Sequence, residues 1–462
     1  MVQFLGGVKV STITAIATPH AVGGISVIRI SGENSIEIAN KMFKASSGKS
    51  VTEMQGYSCS YGKVFDDETE LDDAVLTVFR APKSYTGEDV VEISCHGGIF
   101  ITNKILRTVI SVGAIPAEAG EFTKRAFLNG KLTLTQAEAV MDLISSQGEQ
   151  SHKCAVSIHE GALFKRIKSI SDKLVTLLGE LGAWVDYPEE DIPAVEANNL
   201  LVTLSSVLSA LKATAATYDS GKIIRNGIDT VIVGRPNVGK STLMNLLTGY
   251  ERSIVTEIAG TTRDLIEESV RLGDVVLKLC DTAGIRQTDD LVEGAGVKLA
   301  YKKLENADLI LAIFDNSLEL KHEDFQLIEK LIGKKTIAII NKSDKESLID
   351  KDFISENFNS IVEISAKSGD GIEKLKDKLE EIFYTNDIDV SAGVIVNERQ
   401  KRCLDMAITS IKEAISALEI GETLDAVTVL IDETANFLLE LTGEKTTEAV
   451  VDEVFSHFCV GK

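Results

Sequence analysis

The chain has 462 residues, 44% of them apolar and 26% charged, which is too long for one core and makes about three domains at ordinary domain size. Its 48 basic against 70 acidic side chains leave a formal charge of −22, which excludes a broad basic surface for a phosphate backbone. Six prolines and no low-complexity tract exclude a disordered chain.

Met1 to Ala17 has Lys9 interrupting its apolar residues, so it does not read as a signal peptide. From Ser11 to Ile30 the pattern is β-rich, and Ala74 to Phe79 and Asp89 to Ser94 read as further strands. Asn34 to Phe43 and Ile99 to Val112 have helical spacing between them, giving a small α/β (α+β) domain over residues 1–130. Long apolar-periodic helices follow, among them Ala162 to Trp184 and Ala197 to Tyr218, over residues 131–226. Short β-runs alternating with helices over residues 227–384 predict a doubly wound parallel sheet. Helices return over residues 385–462, at Glu398 to Leu418, Leu424 to Leu441 and Thr446 to Phe458. Each helical flank has one apolar stripe to bury and neither closes alone, so the α/β segment is predicted to be inserted into one helical-bundle domain. No run approaches the roughly 20 apolar residues of a membrane span, so no membrane is expected. Six scattered cysteines, without Cys-x-x-Cys spacing, fit a reducing cytoplasm. Nucleic acid would have to meet a partner or a local patch. Lys124-Arg125 and Lys401-Arg402 offer such patches, though pairs like these are also common on solvated helix surfaces.

The chemistry concentrates in the α/β segment. Val231-Ile232-Val233 runs into Gly234-Arg235-Pro236-Asn237-Val238-Gly239-Lys240-Ser241, and a helix follows from Thr242. In this strand, glycine loop and helix, backbone amides turn toward phosphate oxygens, Lys240 reaches the β and γ phosphates and Ser241 offers a hydroxyl to Mg²⁺. Leu277 to Cys280 ends at Asp281-Thr282-Ala283-Gly284, where a carboxylate can hold Mg²⁺ through water and the Gly284 amide can sense the γ-phosphate. In Thr256 to Asp264, Thr262 is the threonine placed to join the Mg²⁺ shell only with the γ-phosphate present. The strand Ile337 to Ile340 leads into Asn341-Lys342-Ser343-Asp344. Asp344 can accept two hydrogen bonds from guanine, so adenine would be rejected on the order of 10³-fold. Ser365-Ala366-Lys367, after the strand Ile361 to Ile364, supplies the remaining guanine-facing loop. The position after Gly284, often a water-orienting glutamine, is Ile285; Arg286, Asp289, Asp290 and Glu293 are the nearby candidates.

With these residues in view, nearly the whole chain resembles the MnmE (TrmE) family of tRNA-modifying GTPases. The resemblance rests on Gly234-Arg235-Pro236-Asn237, Ile258 to Asp264 and Asp281 to Arg286. Outside that segment it rests on Ile28 to Gly32, Tyr85 to Asp89, His96-Gly97-Gly98, Gly120 to Thr123, Arg125 to Asn129 and the terminal Phe458-Cys459-Val460-Gly461-Lys462. It implies a K⁺-stimulated GTPase in which K⁺ replaces an arginine finger, with Asn237, Thr256, Ile258 and Thr261 on K⁺, Ser241 and Thr262 on Mg²⁺, and Glu293 positioning the water. It implies that residues 1–130 bind a tetrahydrofolate one-carbon donor, such as 5-formyltetrahydrofolate, and dimerise. Arg29, Glu92, Lys131 and Lys462 fall on the family's folate-contact positions, and Cys459 is implied either as a nucleophile or as a structural thiol. It further implies a homodimer that joins a flavin-containing MnmG-type protein in a heterotetramer and acts on C5 of uridine 34 of tRNA, adding an aminomethyl group. No Gly-x-Gly-x-x-Gly fingerprint is present, so flavin belongs to the other chain. The sequence departs from the family at Pro19 to Gly24, which is less glycine-rich, at Ala119 where proline is usual, and at Val460.

Two other functions stay open on sequence alone. One is a GTP-driven ribosome-assembly switch without RNA chemistry, for which the expected basic RNA-binding module is missing. The other is an interaction scaffold whose first domain binds protein.

Overall fold

A computed structural model describes residues 11–186, 197–250, 267–273, 275–280, 304–384 and 389–462. The chain divides into two compact units: Met1–Met141 with His159–Leu208 and Cys403–Lys462, and Asp142–Ile158 with Ser209–Arg402.

The first unit contains seven strands: β1 (Ile13–Ile16), β2 (Ile25–Ser31), β3 (Phe43–Ala45), β4 (Ser58–Asp66), β5 (Thr69–Phe79), β6 (Val90–His96) and β7 (Ile115–Pro116). They lie in the order β3-β4-β5-β6-β2-β1-β7, antiparallel throughout except β1 against β7. Strand β2 shows why one face is covered. Ile28 and Ile30 are fully buried, while Val27 and Arg29, one step out of phase, are only half-buried. With Leu76, Val78, Val91 and Ile93 they pack against Ile105 and Val109 of helix Ile99–Ser111 and Ile36 and Ile38 of helix Ser35–Met42. Each such side chain contributes about 1.5–3 kcal/mol on burial.

The predicted strands and helices of this region are present, and the structure adds β4, paired with the predicted Ala74–Phe79 strand, which itself extends back to Thr69. In β4 the outward positions are Cys59, Tyr61 and Lys63, and only Gly62 and Val64 are buried, so the apolar alternation is too sparse to register. Helix Leu424–Thr442 packs along helix Ala162–Asp186, so helices from both flanks of the α/β segment share one unit.

Among its described residues the second unit has six strands: β8 (Ile228–Val233), β9 (Glu267–Leu272), β10 (Val275–Cys280), β11 (Leu309–Asp315), β12 (Thr336–Asn341) and β13 (Ile361–Ile364), in the order β13-β12-β11-β8-β10-β9. Five are parallel, and β9 joins as an antiparallel edge, a refinement of the all-parallel expectation. β11 reads Leu-Ile-Leu-Ala-Ile-Phe-Asp because both of its faces are covered. Leu309, Leu311 and Ile313 enter one core with Leu243, Leu247, Leu375 and Leu379; Ile310, Ala312 and Phe314 enter another with Ile328, Leu331, Ile354 and Phe358.

The expectation that no segment is apolar enough to span a membrane needs correction. Among the described residues, Asn198–Asn226 is long enough and contains an 18-residue stretch apolar enough by composition, with mean hydropathy 1.5 over that stretch. Its buried residues, Leu200, Leu204, Val207 and Leu211, recur along one stripe, while Ser205, Ser206, Ser209 and Lys212 are exposed. That distribution is amphipathic rather than uniformly apolar.

Candidate functional site

In the second unit, β8 lies where the chain reverses its direction of travel across the sheet: β9 and β10 are laid to one side and β11 to β13 to the other. Open α/β sheets bind ligands at the carboxyl ends of strands at such a point. The loop Gly234 to Gly239 leaves β8 there and feeds the N-terminus of helix Lys240–Tyr250, the end of a helix that favours an anion. Lys240 Nζ donates to the carbonyls of Gly234 and Arg235, both at 2.8 Å, so the ammonium is held over the loop. Ser241 and Thr242 are exposed in the first helical turn.

The guanine-type motifs converge on the same loop. Asn341, almost fully buried, donates from Nδ2 to the Val238 carbonyl at 2.8 Å and accepts the Ala366 amide at 2.9 Å. One side chain thus fastens the phosphate loop to the Ser365-Ala366-Lys367 loop. Gly239 is required at this junction: its φ is +104°, and a Cβ there would lie 2.2 Å from Asn341 Nδ2. Lys342 Nζ donates to the Asn237 carbonyl at 3.0 Å and to Asp315 at 2.5 Å. Asn237 and Lys342 both have left-handed backbones, φ 66° and 65°, a conformation that asparagine tolerates better than lysine. Ser365 Oγ donates to Asp344 Oδ1 at 2.7 Å, and this bond holds the Asp344 carboxyl below its usual range, ionised and ready to accept.

Asp315 carries no sequence expectation. Burial would raise its carboxyl, but the bonds from Lys342 and from the Ser317 hydroxyl and amide outweigh it, and the net direction is down. Its position at the carboxyl end of the strand beside β8 is the signal that marks it. The expected Thr256, Ile258, Thr261, Thr262, Asp281, Thr282, Ala283, Gly284 and Glu293 lie outside the described residues, as do Ile285, Arg286, Asp289 and Asp290.

The first unit assembles a second cluster on the sheet face opposite helices Ser35–Met42 and Ile99–Ser111. Arg29 and Glu92 are cross-strand neighbours, and Arg29 Nε donates to Glu92 Oε1 at 2.8 Å. The guanidinium lies 5.6 Å from the Tyr85 ring centre and 5.5 Å from that of Phe122. Tyr85 in turn shares a 2.8 Å hydrogen bond with Thr123. Arg29 Nη1 also donates to the carbonyl of Gly461 at 3.3 Å, a contact between residues 432 positions apart.

The terminal segment reaches this place because helix Glu448–Ser456 docks on Phe127, Leu134 and Val140 through Val451, Phe455 and Phe458. Beyond it, the Gly120 amide donates to the Cys459 carbonyl, and Val460 bridges Ala119. Two departures from the family pattern, Ala119 and Val460, therefore face each other. Gly461 has φ +99°, and a Cβ would lie 2.4 Å from the Ile16 carbonyl, so only glycine lets the terminus pass β1. Lys462 is half-buried; burial first, then the Arg29 charge, depresses its pKa, against the opposing pull of Glu92 and Cys459. Of the four expected folate contacts, Arg29, Glu92 and Lys462 are brought together. Lys131 instead caps the Pro82 carbonyl at 3.1 Å, on the loop that carries Tyr85. Cys459 is half-buried, and neither it nor Cys59, Cys95, Cys154 or Cys403 is in a disulfide; burial raises Cys95 to about 11 and Cys154 to about 12. Tyr85 and Phe122 are in quoted motifs without an expected role; their place against Arg29 follows only from the fold.

The basic pair Lys124-Arg125 is not a surface patch. Arg125 is 7% exposed, donates to Glu121 at 2.7 Å and to both Glu88 oxygens at 3.2 Å, and binds the Ser11 carbonyl; Lys124 pairs with Asp452. Ser31 Oγ completes the network at Glu88. In the other pair, Arg402 is exposed and Lys401 half-buried.

Residues 12–131 match the family described as GTP-binding protein TrmE N-terminus, and residues 134–459 match the MnmE helical domain. Three relatives share the name tRNA modification GTPase MnmE. That of Clostridioides difficile is 44% identical over 98% of this chain and 99% of its own length. Those of Acetivibrio thermocellus and Thermoanaerobacter pseudethanolicus are 41% and 40% identical, each over 98% of this chain and 100% and 99% of their own lengths.

Proposed function

The chain belongs to the tRNA modification GTPase MnmE family and is a GTP hydrolase acting in tRNA modification; we propose that it modifies C5 of uridine 34 by supplying a one-carbon unit from a tetrahydrofolate held at the Arg29 cluster. The observation that carries this is the return of the terminal Cys459-Val460-Gly461-Lys462 segment onto Arg29 and Glu92. A reduced folate has a hydrogen-bonding ring and a glutamate tail. Arg29 and Lys462 offer cations for the tail or the one-carbon oxygen, Glu92 an acceptor for ring N–H groups, and Tyr85 and Phe122 aromatic surface. Lys131 serves the same ligand from the adjoining loop. Cys459, in the same terminal segment, is assigned to the modification chemistry or its support.

Hydrolysis is assigned to the phosphate loop with Mg²⁺ on Ser241 and Thr262 and K⁺ on Asn237, Thr256, Ile258 and Thr261. The described members fit both ions: Ser241 is an exposed hydroxyl in the first helical turn, and Asn237 is exposed on the loop itself. K⁺, when bound, supplies positive charge beside the β and γ phosphates, the service an arginine finger gives elsewhere. Lys240 and the loop amides bind the same phosphates, Asp344 selects guanine, and Glu293 orients the attacking water. The working assembly is a cytoplasmic homodimer joined to a flavin-containing MnmG-type partner, which also suits an acidic chain that needs help to hold tRNA.

The test is nucleoside analysis of tRNA from cells lacking the protein, rescued with the unaltered chain or with Asp281→Asn. Loss of the modified wobble uridine in the deletion, with rescue only by the unaltered chain, is the expected result. Wobble uridines unchanged by the deletion would remove the proposal and favour a GTP switch without RNA chemistry.

A further inference from the structure

The phosphate loop is tied to its surroundings at three successive points. Two are made by the guanine motif: Lys342 on the Asn237 carbonyl and Asn341 on the Val238 carbonyl. The third is at the opposite end of the loop, where Arg235 of the loop meets a residue outside both motifs. Arg235 Nε lies 2.7 Å from the Asp324 carboxylate, with the two side chains 11% and 1% exposed.

Asp324 lies in helix His322–Leu331, beyond β11, where its other role is to accept the Lys321 amide at 2.9 Å as part of the helix cap. The N3 side chain of a capping box needs only an acceptor oxygen, which a neutral amide supplies as well as a carboxylate. A carboxylate almost wholly removed from water is costly unless a cation meets it, and Arg235 is that cation. The carbonyl of Arg235 is meanwhile one of the two that hold Lys240 Nζ. The side chain of Arg235 is therefore anchored to one element while its main chain carries the phosphate-binding lysine.

We propose that the Arg235–Asp324 pair is a positioning device for GTP binding: it fixes the first half of the phosphate loop, and through the Arg235 carbonyl the reach of Lys240. Gly234, at φ +151°, packs its backbone against the Ile313 carbonyl as the loop leaves β8, and the ion pair fixes the residue that follows it. Neither residue touches nucleotide in this account; both act through Lys240.

The variant that isolates the idea is Asp324→Asn, which keeps volume and cap acceptor but removes the charge. Loss of a charge-assisted bond at this point should raise KM for GTP about tenfold while kcat stays within about twofold. GDP affinity, measured by titration of the full chain, should weaken by a similar factor. Arg235→Lys, which keeps the charge without the planar fork, should fall between the two. Ile354→Val, a buried position in helix Lys351–Asn357 outside the ion pair, serves as the control for lost stability alone. If Asp324→Asn lowers the melting temperature but leaves KM and GDP affinity as in Ile354→Val, the pair is merely structural and the proposal is overturned. Should Asp324→Asn fail to fold, Arg235→Lys decides: wild-type KM and GDP affinity would equally overturn it.

Discussion

The two clusters differ in how they are made. The phosphate loop and its guanine-facing partners come from short contiguous runs at strand ends, tied to one another largely through main-chain carbonyls and amides. The Arg29 cluster is made of side chains from β2, β6, the Tyr85 loop, helix Glu121–Leu128 and the chain's last residues. Only a folded chain brings residues 29 and 461 to 3.3 Å. A site made by backbone spacing announces itself locally, whereas a site made by tertiary assembly does not.

The largest effect that sharpens this contrast is at Asp344. Replacing Asp344 by Asn should lower the preference for GTP over ATP by on the order of 10³-fold, because one carboxylate carries the base choice. Competition binding with both nucleotides measures it; an unchanged preference would mean that base selection is not held in the local motif. Next in size is the cation dependence. Turnover should fall at least roughly tenfold when NaCl replaces KCl, with the difference abolished in Asn237→Ala. Equal rates in the two salts would remove K⁺ from the loop.

A smaller effect probes the assembled cluster. Lys462 binds a carboxylate only as an ammonium, and its pKa is depressed, chiefly by burial. Folate affinity should therefore hold at neutral pH and decline as pH rises through that lowered pKa, before an ordinary lysine would titrate. Because the side chain is half-exposed the decline should be modest, roughly threefold, and Lys462→Met should flatten it. A pH response that survives Lys462→Met would place the titrating group elsewhere.

The same contrast sets what was legible in the sequence. The parallel strands of the second unit are apolar end to end because both faces are covered, so β8, β11 and β12 stand out from their composition. Strand β4 does not, since its outer face carries Cys59, Tyr61 and Lys63, and a glycine fills half of its inner one. Arg125 looks like a surface charge beside Lys124, and only the approach of Glu88 from another strand connection makes it a buried cross-link. Asp315 and Asp324 lack any motif, and their meaning comes from the lysine and arginine that the sheet order brings to them. Arg29, Glu92 and Lys462 are placed on one ligand by family resemblance alone; no spacing rule joins positions so far apart. Tyr85 and Phe122, flanking the same guanidinium, show what even the resemblance leaves without a role.

The most direct test of the assembled cluster is isothermal titration of 5-formyltetrahydrofolate onto the full chain and onto Arg29→Gln. Saturable binding by the unaltered chain, weakened on the order of 10²-fold by the substitution, is the predicted result. No binding by the unaltered chain, or equal binding by both proteins, would contradict it.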